Sequence, residues 1–142
     1  MRRLLVTLAM AFPLVAQVNV TGTQTVNSGQ KLNLDTGAVS PSSGDIYWIS
    51  SGQVVAFGSA TIAGVPASVT ASDFSAITQS QLRGYSYNQS QIYGPVAGNI
   101  FAVHTNGGNY SAVLVTAVAA DQSTITTPVH HVHGAQYFRG GE

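Results

Sequence analysis

Three histidines stand close together near the end of the chain, His130, His131 and His133 in the run VHHVH. Imidazole is a common zinc ligand, and on an extended backbone His131 and His133 fall on the same side. These three are therefore the metal candidates. The set is incomplete: the chain has no cysteine, its one other histidine is His104, and no Asp or Glu flanks the cluster. A structural zinc needs four ligands and a catalytic one three plus water, so no cofactor is expected.

Hydrolysis offers even less. Glycosidases use paired carboxylates, and the acids here are the scattered Asp35, Asp45, Asp73 and Asp121 with the terminal Glu142. Asp35 and Asp45 adjoin turn signals, where aspartate bonds to nearby backbone amides, and turn formation is the reading adopted for both. A serine nucleophile needs a base and an orienting acid. No Gly-x-Ser-x-Gly elbow is present, and His104 sits in an apolar strand pattern between Val103 and Thr105. It reads as a sheet histidine. The protein is not expected to be an enzyme, and a small metal-dependent hydrolase, resting on the histidine run alone, ranks last among the readings.

Binding chemistry has more material. Tyr85, Tyr87 and Tyr93 lie within RGYSYNQSQIYG, and exposed tyrosines stack on sugar faces or anchor interfaces. Tyr85, Tyr87, Tyr93 or Trp48 would serve as the stacking platform for carbohydrate. Asn19-Val20-Thr21, Asn88-Gln89-Ser90 and Asn109-Tyr110-Ser111 match the N-glycosylation sequon. In a chain rich in Ser and Thr such matches also arise by chance.

The elements that must position these residues read as strands. QVNVTGTQTV over residues 17–26 alternates apolar or Thr with polar residues, the period of a half-buried strand. KLNLDTG repeats the alternation and stops at a turn. DIYWIS puts Ile46 and Trp48 on one face and Tyr47 and Ile49 on the other, with Trp48 expected in the core. Ser51-Gly52-Gln53 then turns the chain into Val54 to Ala60, giving a hairpin. A second hairpin joins Ile100–Thr105 to Tyr110–Val118 through Asn106-Gly107-Gly108-Asn109, residues suited to positive φ. Asp121 to Ser123 marks a further turn before a short strand over Ser123 to Thr127. The one helical candidate is Ser72 to Gly84, with Ser72 as cap and Phe74, Ile77 and Leu82 sharing a face. Beyond Pro128 the pattern is lost. The fold class is therefore all-β, a single antiparallel sandwich or small barrel with at most one short helix.

Composition bounds the function. Only 7% of the residues are charged against 44% hydrophobic, and the formal net charge is zero. An ordinary soluble domain carries about 25% charge. Nucleic acid is not an expected partner, because no basic patch is available to neutralise phosphates. MRRLLVTLAMAFPLVAQ has two arginines, an apolar run and the small Ala16 before a polar segment, the pattern of a secretory leader over 1–16. The run is too short to span a bilayer, so no membrane span is expected once the leader is removed. Cleavage leaves Lys31, Arg83 and Arg139 against four aspartates and Glu142, a net charge of minus two. Without cysteine, an exported fold must rely on packing and sheet hydrogen bonds.

LNLDTG, DIYW and FAVHTNGGNYSAVLV, taken in order from Leu32 to Val118, resemble uncharacterised β-rich segments of secreted bacterial proteins. That resemblance implies export and β structure and brings no catalytic residue with it. The leading expectation is a secreted or cell-surface protein with a domain over 17–128 and a tail over 129–142. It would polymerise with copies of itself into a filament or surface layer. The segment 17–26, with Val18, Val20, Thr23 and Thr25, would form the assembly strand, at a sheet edge or exchanged between subunits. A carbohydrate-binding or adhesive module is the alternative.

Overall fold

The computed structural model describes residues 18–132. The leader expected over 1–16 lies outside the described residues, as does the chain beyond Val132 with His133. Among the described residues eleven strands form two antiparallel sheets. Strands β1 (Val18–Asn27), β6 (Thr61–Gly64), β8 (Ile100–His104), β9 (Tyr110–Leu114), β10 (Ala117–Val118) and β11 (Thr124–Val132) make the larger one, in the order β1-β11-β9-β8-β6 with β10 also on β11. Strands β2 (Lys31–Leu32), β3 (Val39–Ser40), β4 (Ile46–Ile49), β5 (Gln53–Ala56) and β7 (Gln91–Tyr93) make the smaller, in the order β3-β2-β4-β5-β7.

The sheets bury one face of each against the other. Leu32, Leu34, Ile46, Trp48 and Val54 from the smaller sheet side meet Val26, Ile62, Phe101, Val103, Val113 and Ile125 from the larger. Trp48 is 1% exposed, and its indole Nε1 donates to the Gln122 carbonyl at 2.7 Å. A buried indole keeps its stability only if its N–H is paired, and Gln122 holds the required carbonyl in place at the cost of a positive φ of 58°.

The other face of the larger sheet carries a second, smaller core. Alternation turns Phe101 and Val103 inward and Ala102 outward, and the outward row across three strands is Ala63, Ala102 and Ala112 in direct register. Onto this row fold Phe74, Ile77 and Leu82. The helical candidate that carries them is divided in two. A 3-10 helix spans Ala71–Ala76, and α1 spans Gln79–Arg83. Each starts on a threonine: Thr78 and Gln81 form a reciprocal capping box, whereas at Thr70 the Asp73 carboxylate accepts from both the amide and the hydroxyl of Thr70. The cap is thus Thr70 and not Ser72, because Asp73 is spaced to answer Thr70. Phe74, Ile77 and Leu82 reach the same core, but from two helices and the extended link at Ile77 and not from one helix face.

Both hairpins form. Ile49 faces Gln53 across a turn in which Gly52 has φ 82°, and His104 faces Tyr110 across the NGGN loop. Two expectations are corrected. The run 110–118 is two strands, because the register on β11 slips by one residue between Val113↔Val129 and Ala117↔Thr126. The pattern also does not end at Pro128, since β11 continues to Val132. Proline lacks the N–H a central strand needs. Pro128 is tolerated because it sits at the gap between β9 and β10 and beside the irregularity of β1 between Val20 and Thr23.

Candidate functional site

The two borders of the larger sheet are built differently. At the β6 border the Ile62 amide donates to the Gln89 carbonyl at 2.8 Å and the Gln89 amide returns the bond to Ile62 at 3.0 Å. One residue further on, Ser90 accepts from the Ala56 amide, and Gln91–Tyr93 then joins the smaller sheet on β5. The segment 89–93 therefore stitches the two sheets together along that side.

At the opposite border lies β1. It pairs with β11 from Val18↔Val132 to Asn27↔Thr124, and no second strand pairs with it among the described residues. Its sequence VNVTGTQTVN has no charged residue and no proline. Natural edge strands are blunted by Lys, Pro, bulges or short length, and of these β1 has only the irregularity at Gly22, where φ is 76°. The regular part is Thr23–Asn27. There Val26 is buried, Thr23, Thr25 and Asn27 are exposed, and the Thr25 hydroxyl lies 3.3 Å from that of Thr126 directly opposite.

A polar network closes one end of the sandwich. Asp45 is 1% exposed, with Oδ2 accepting from the Leu34 amide at 2.7 Å and Oδ1 from the Asn106 amide at 2.8 Å. The Asn106 side chain donates to the carbonyls of Gly44 and Phe57 and accepts from the amide and hydroxyl of Ser59. Asp35 accepts from the Thr105 hydroxyl and from Nδ2 of the Asn109 side chain. A Cβ at Gly107 would stand 2.5 Å from the Asp35 carboxylate, so only glycine lets the hairpin tip approach so closely. Both aspartates were expected to serve their own turns. Their carboxylates instead tie the β2–β4 region to the β8–β9 hairpin, a link between distant segments that turn chemistry alone does not reveal.

The tyrosines separate into two places. Tyr85 and Tyr87 pack against the second core, while Tyr93 is 67% exposed on the smaller sheet. Tyr87 stands 5.4 Å from Tyr110 and 6.0 Å from His104 between ring centroids, and His104 stacks on Tyr110 at 4.7 Å. Arg83 lies 5.8 Å over the Tyr110 ring. The Tyr87 hydroxyl donates to the Leu82 carbonyl at 2.6 Å. Burial, reinforced by Tyr110 and Tyr85, pushes its phenol pKa well above the ordinary value of 10.0. Of the four stacking candidates, Trp48 lies in the core, Tyr93 is exposed on the smaller sheet, and Tyr85 and Tyr87 are half-buried against the second core. His104 and Tyr110 are the aromatic neighbours that sequence reasoning missed. The NGGN turn was the available signal, because it sets them opposite each other.

Of the metal candidates, His130 faces Ala112 and Val20 along the backbone, and His131 faces Ser111 and Asn19. Among the described residues no group of three His, Cys, Asp or Glu is arranged to hold a metal ion. The sequons differ in setting. Asn109 is bonded to Asp35 and Ser111 is buried, Asn19 lies within β1, and Asn88, Gln89 and Ser90 are all exposed. No helix among the described residues is long and apolar enough to cross a membrane. Comparison with protein-family models, with curated proteins and with solved structures finds no match to this chain.

Proposed function

We propose that this is an exported structural protein whose copies associate at the β1 border into an extracellular filament or surface layer. The observation that carries the reading is the asymmetry of the larger sheet, one border stitched by Gln89 and the other left to a ten-residue strand with no charge. An open ladder of N–H and C=O groups is a template for another strand. The partner that fits best is a second copy, because a neutral strand facing its own like meets no repulsion. Few charges elsewhere on the chain act in the same direction.

Size-exclusion chromatography and negative-stain microscopy of the chain lacking residues 1–16 test this directly. Concentration-dependent assembly that disappears in Thr23→Lys/Thr25→Lys, with the monomer still folded, is the expected result. A strictly monomeric protein at high concentration overturns it. The substitutions are cleaner than deletion of 17–26, which would also strip Val26 from the core and bare β11.

A second reading, an adhesive module for carbohydrate, is favoured by the half-buried rings of Tyr85, Tyr87, His104 and Tyr110 with Arg83 beside them. Glycan-array binding lost in Tyr110→Ala would support it, and a silent array would remove it.

A further inference from the structure

We propose that copies are linked by exchange of β1: the strand leaves its own sheet and fills the place along Thr124–Pro128 in a neighbour. This rests on the self-assembly reading above and names how the border is used. Three features of the seat carry it.

The first is what holds β1 in place. Over Thr23–Asn27 the strand contributes a backbone ladder, the Thr25–Thr126 hydroxyl contact and one buried apolar side chain, Val26. A second copy of the same strand would remake every one of these bonds. The exchange is therefore close to neutral in contacts, and concentration and the hinge decide the outcome.

The second is the fit beneath the strand. A small apolar cavity remains between Val26, Trp48, Phe101, Ile125 and Thr127. Thr127, which faces Gln24 of β1, is 2% exposed, and its hydroxyl has no hydrogen-bond partner. A buried hydroxyl without a partner is costly, and a void loses dispersion contacts. The cavity and the unpaired hydroxyl both lie at the seam between β1 and the rest of the core, so parting β1 there forfeits less packing and hydrogen bonding than parting a fully filled seam.

The third is the hinge. Asn27 to Gln30 makes a tight turn in which the Gln30 amide donates to the Asn27 carbonyl at 2.9 Å and the Asn27 amide to Gln30 Oε1 at 3.1 Å. Gly29, exposed with φ 83° and open space around its Cβ position, can take an extended conformation as readily as the bent one. Straightening this turn gives up those two bonds together with the bonds from the Ser28 amide to the Ser123 carbonyl at 2.9 Å, the Gly29 amide to the Trp48 carbonyl at 2.8 Å and the Ser50 amide to the Ser28 hydroxyl at 3.0 Å, and it aligns β1 with β2 as one continuous strand reaching outward. Short hinges of this kind favour swapping.

The test uses the chain's lack of cysteine. In Thr25→Cys/Thr126→Cys the two thiols replace hydroxyls that already touch across directly opposed residues, a separation a disulfide can bridge. The protein is assembled under reducing conditions, then oxidised and run on a denaturing gel without reductant. Exchange predicts covalent dimers or a ladder of multimers, and it predicts that monomer oxidised beforehand no longer assembles. Internally linked single chains recovered from assembled material overturn exchange and leave edge association standing. Absence of assembly in the unaltered chain overturns both. An independent variant with three glycines inserted after Ser28 keeps the question answerable should the cysteine pair fail to fold. A longer hinge favours the closed monomer, so about a tenfold rise in the concentration needed for assembly is expected. An unchanged threshold overturns the proposal.

Discussion

The β6 and β1 borders of one sheet meet solvent in different ways. At β6 the backbone groups of the central Ile62 are taken by Gln89, and the outer face beside it is covered by Phe74, Ile77 and Leu82. At β1 neither a neighbouring strand nor that helical cover is in place among the described residues. The same sheet is thus finished on one side and extensible on the other. The difference lies in a single excursion, residues 65–93, that the chain spends on one border only.

The largest effect is expected on the finished side. Leu82→Ala empties a fully buried position under the cover and should cost about 2–5 kcal/mol in a urea titration. A loss much smaller than this would mean that the cover is loosely held and the borders are more alike than they look. The matching truncation on the open side, Val26→Ala, should cost about 2 kcal/mol. Its companion measurement is amide exchange. Amides of Thr23–Asn27 should exchange through a lower-energy opening than those of Ala102 and Val103, and equal protection would contradict a separable β1.

Next in size is an alkaline effect confined to the covered side. Tyr87 has its folded pKa raised above the unfolded value of 10.0 by burial, so the folded state holds the phenolic proton more tightly. Its contribution is full below pH 10 and is lost as pH rises beyond it. Tyr87→Phe should remove that alkaline slope and, by deleting the bond to the Leu82 carbonyl, cost about 1 kcal/mol at neutral pH. Thermal melts across pH 8–11 check both.

The smallest expected effect is a gain at the foot of the β1 seat. Gln122 is in the left-handed region, and Gln122→Gly keeps the carbonyl that receives the Trp48 indole while relieving the backbone. A stabilisation of about 0.5 kcal/mol should appear as a slight rise in Tm.

Much of the fold was legible because it is local. Alternation through DIYWIS and the glycine-rich turns at Gly52 and Gly107 determine their hairpins from neighbouring residues alone. The split of the helical segment was written in Thr70-x-x-Asp73 and Thr78-x-x-Gln81, a spacing overlooked in favour of Ser72. The sandwich's closure was not legible. Asp45 reaches Asn106, and Gln89 reaches Ile62, across sequence separations that no periodicity encodes. The strand after Pro128 was hidden for a different reason. Proline ordinarily argues against a central strand, and only the coincidence of a gap in β9–β10 with the irregularity in β1 makes room for it. For the candidate site, the edge placement of residues 18–27 could be expected from their alternation and position, whereas the stitched border that gives it meaning could not.

The alanine row Ala63-Ala102-Ala112 has a consequence for how the sequence can drift. Three side chains of one carbon each form a shallow trough across β6, β8 and β9, and this lets two helices of six and five residues lie close enough to bury Phe74 and Leu82. The polar positions above the trough, Ser72, Ser75 and Ser80 among them, face solvent and are free to vary. The trough has no such freedom, since Ala102→Val would overfill a fully buried position and lift the cover by about 1–3 kcal/mol of strain. Substitution is therefore governed here by the smallest side chains in the sheet, while the more conspicuous serine-rich segment lying over them is tolerant.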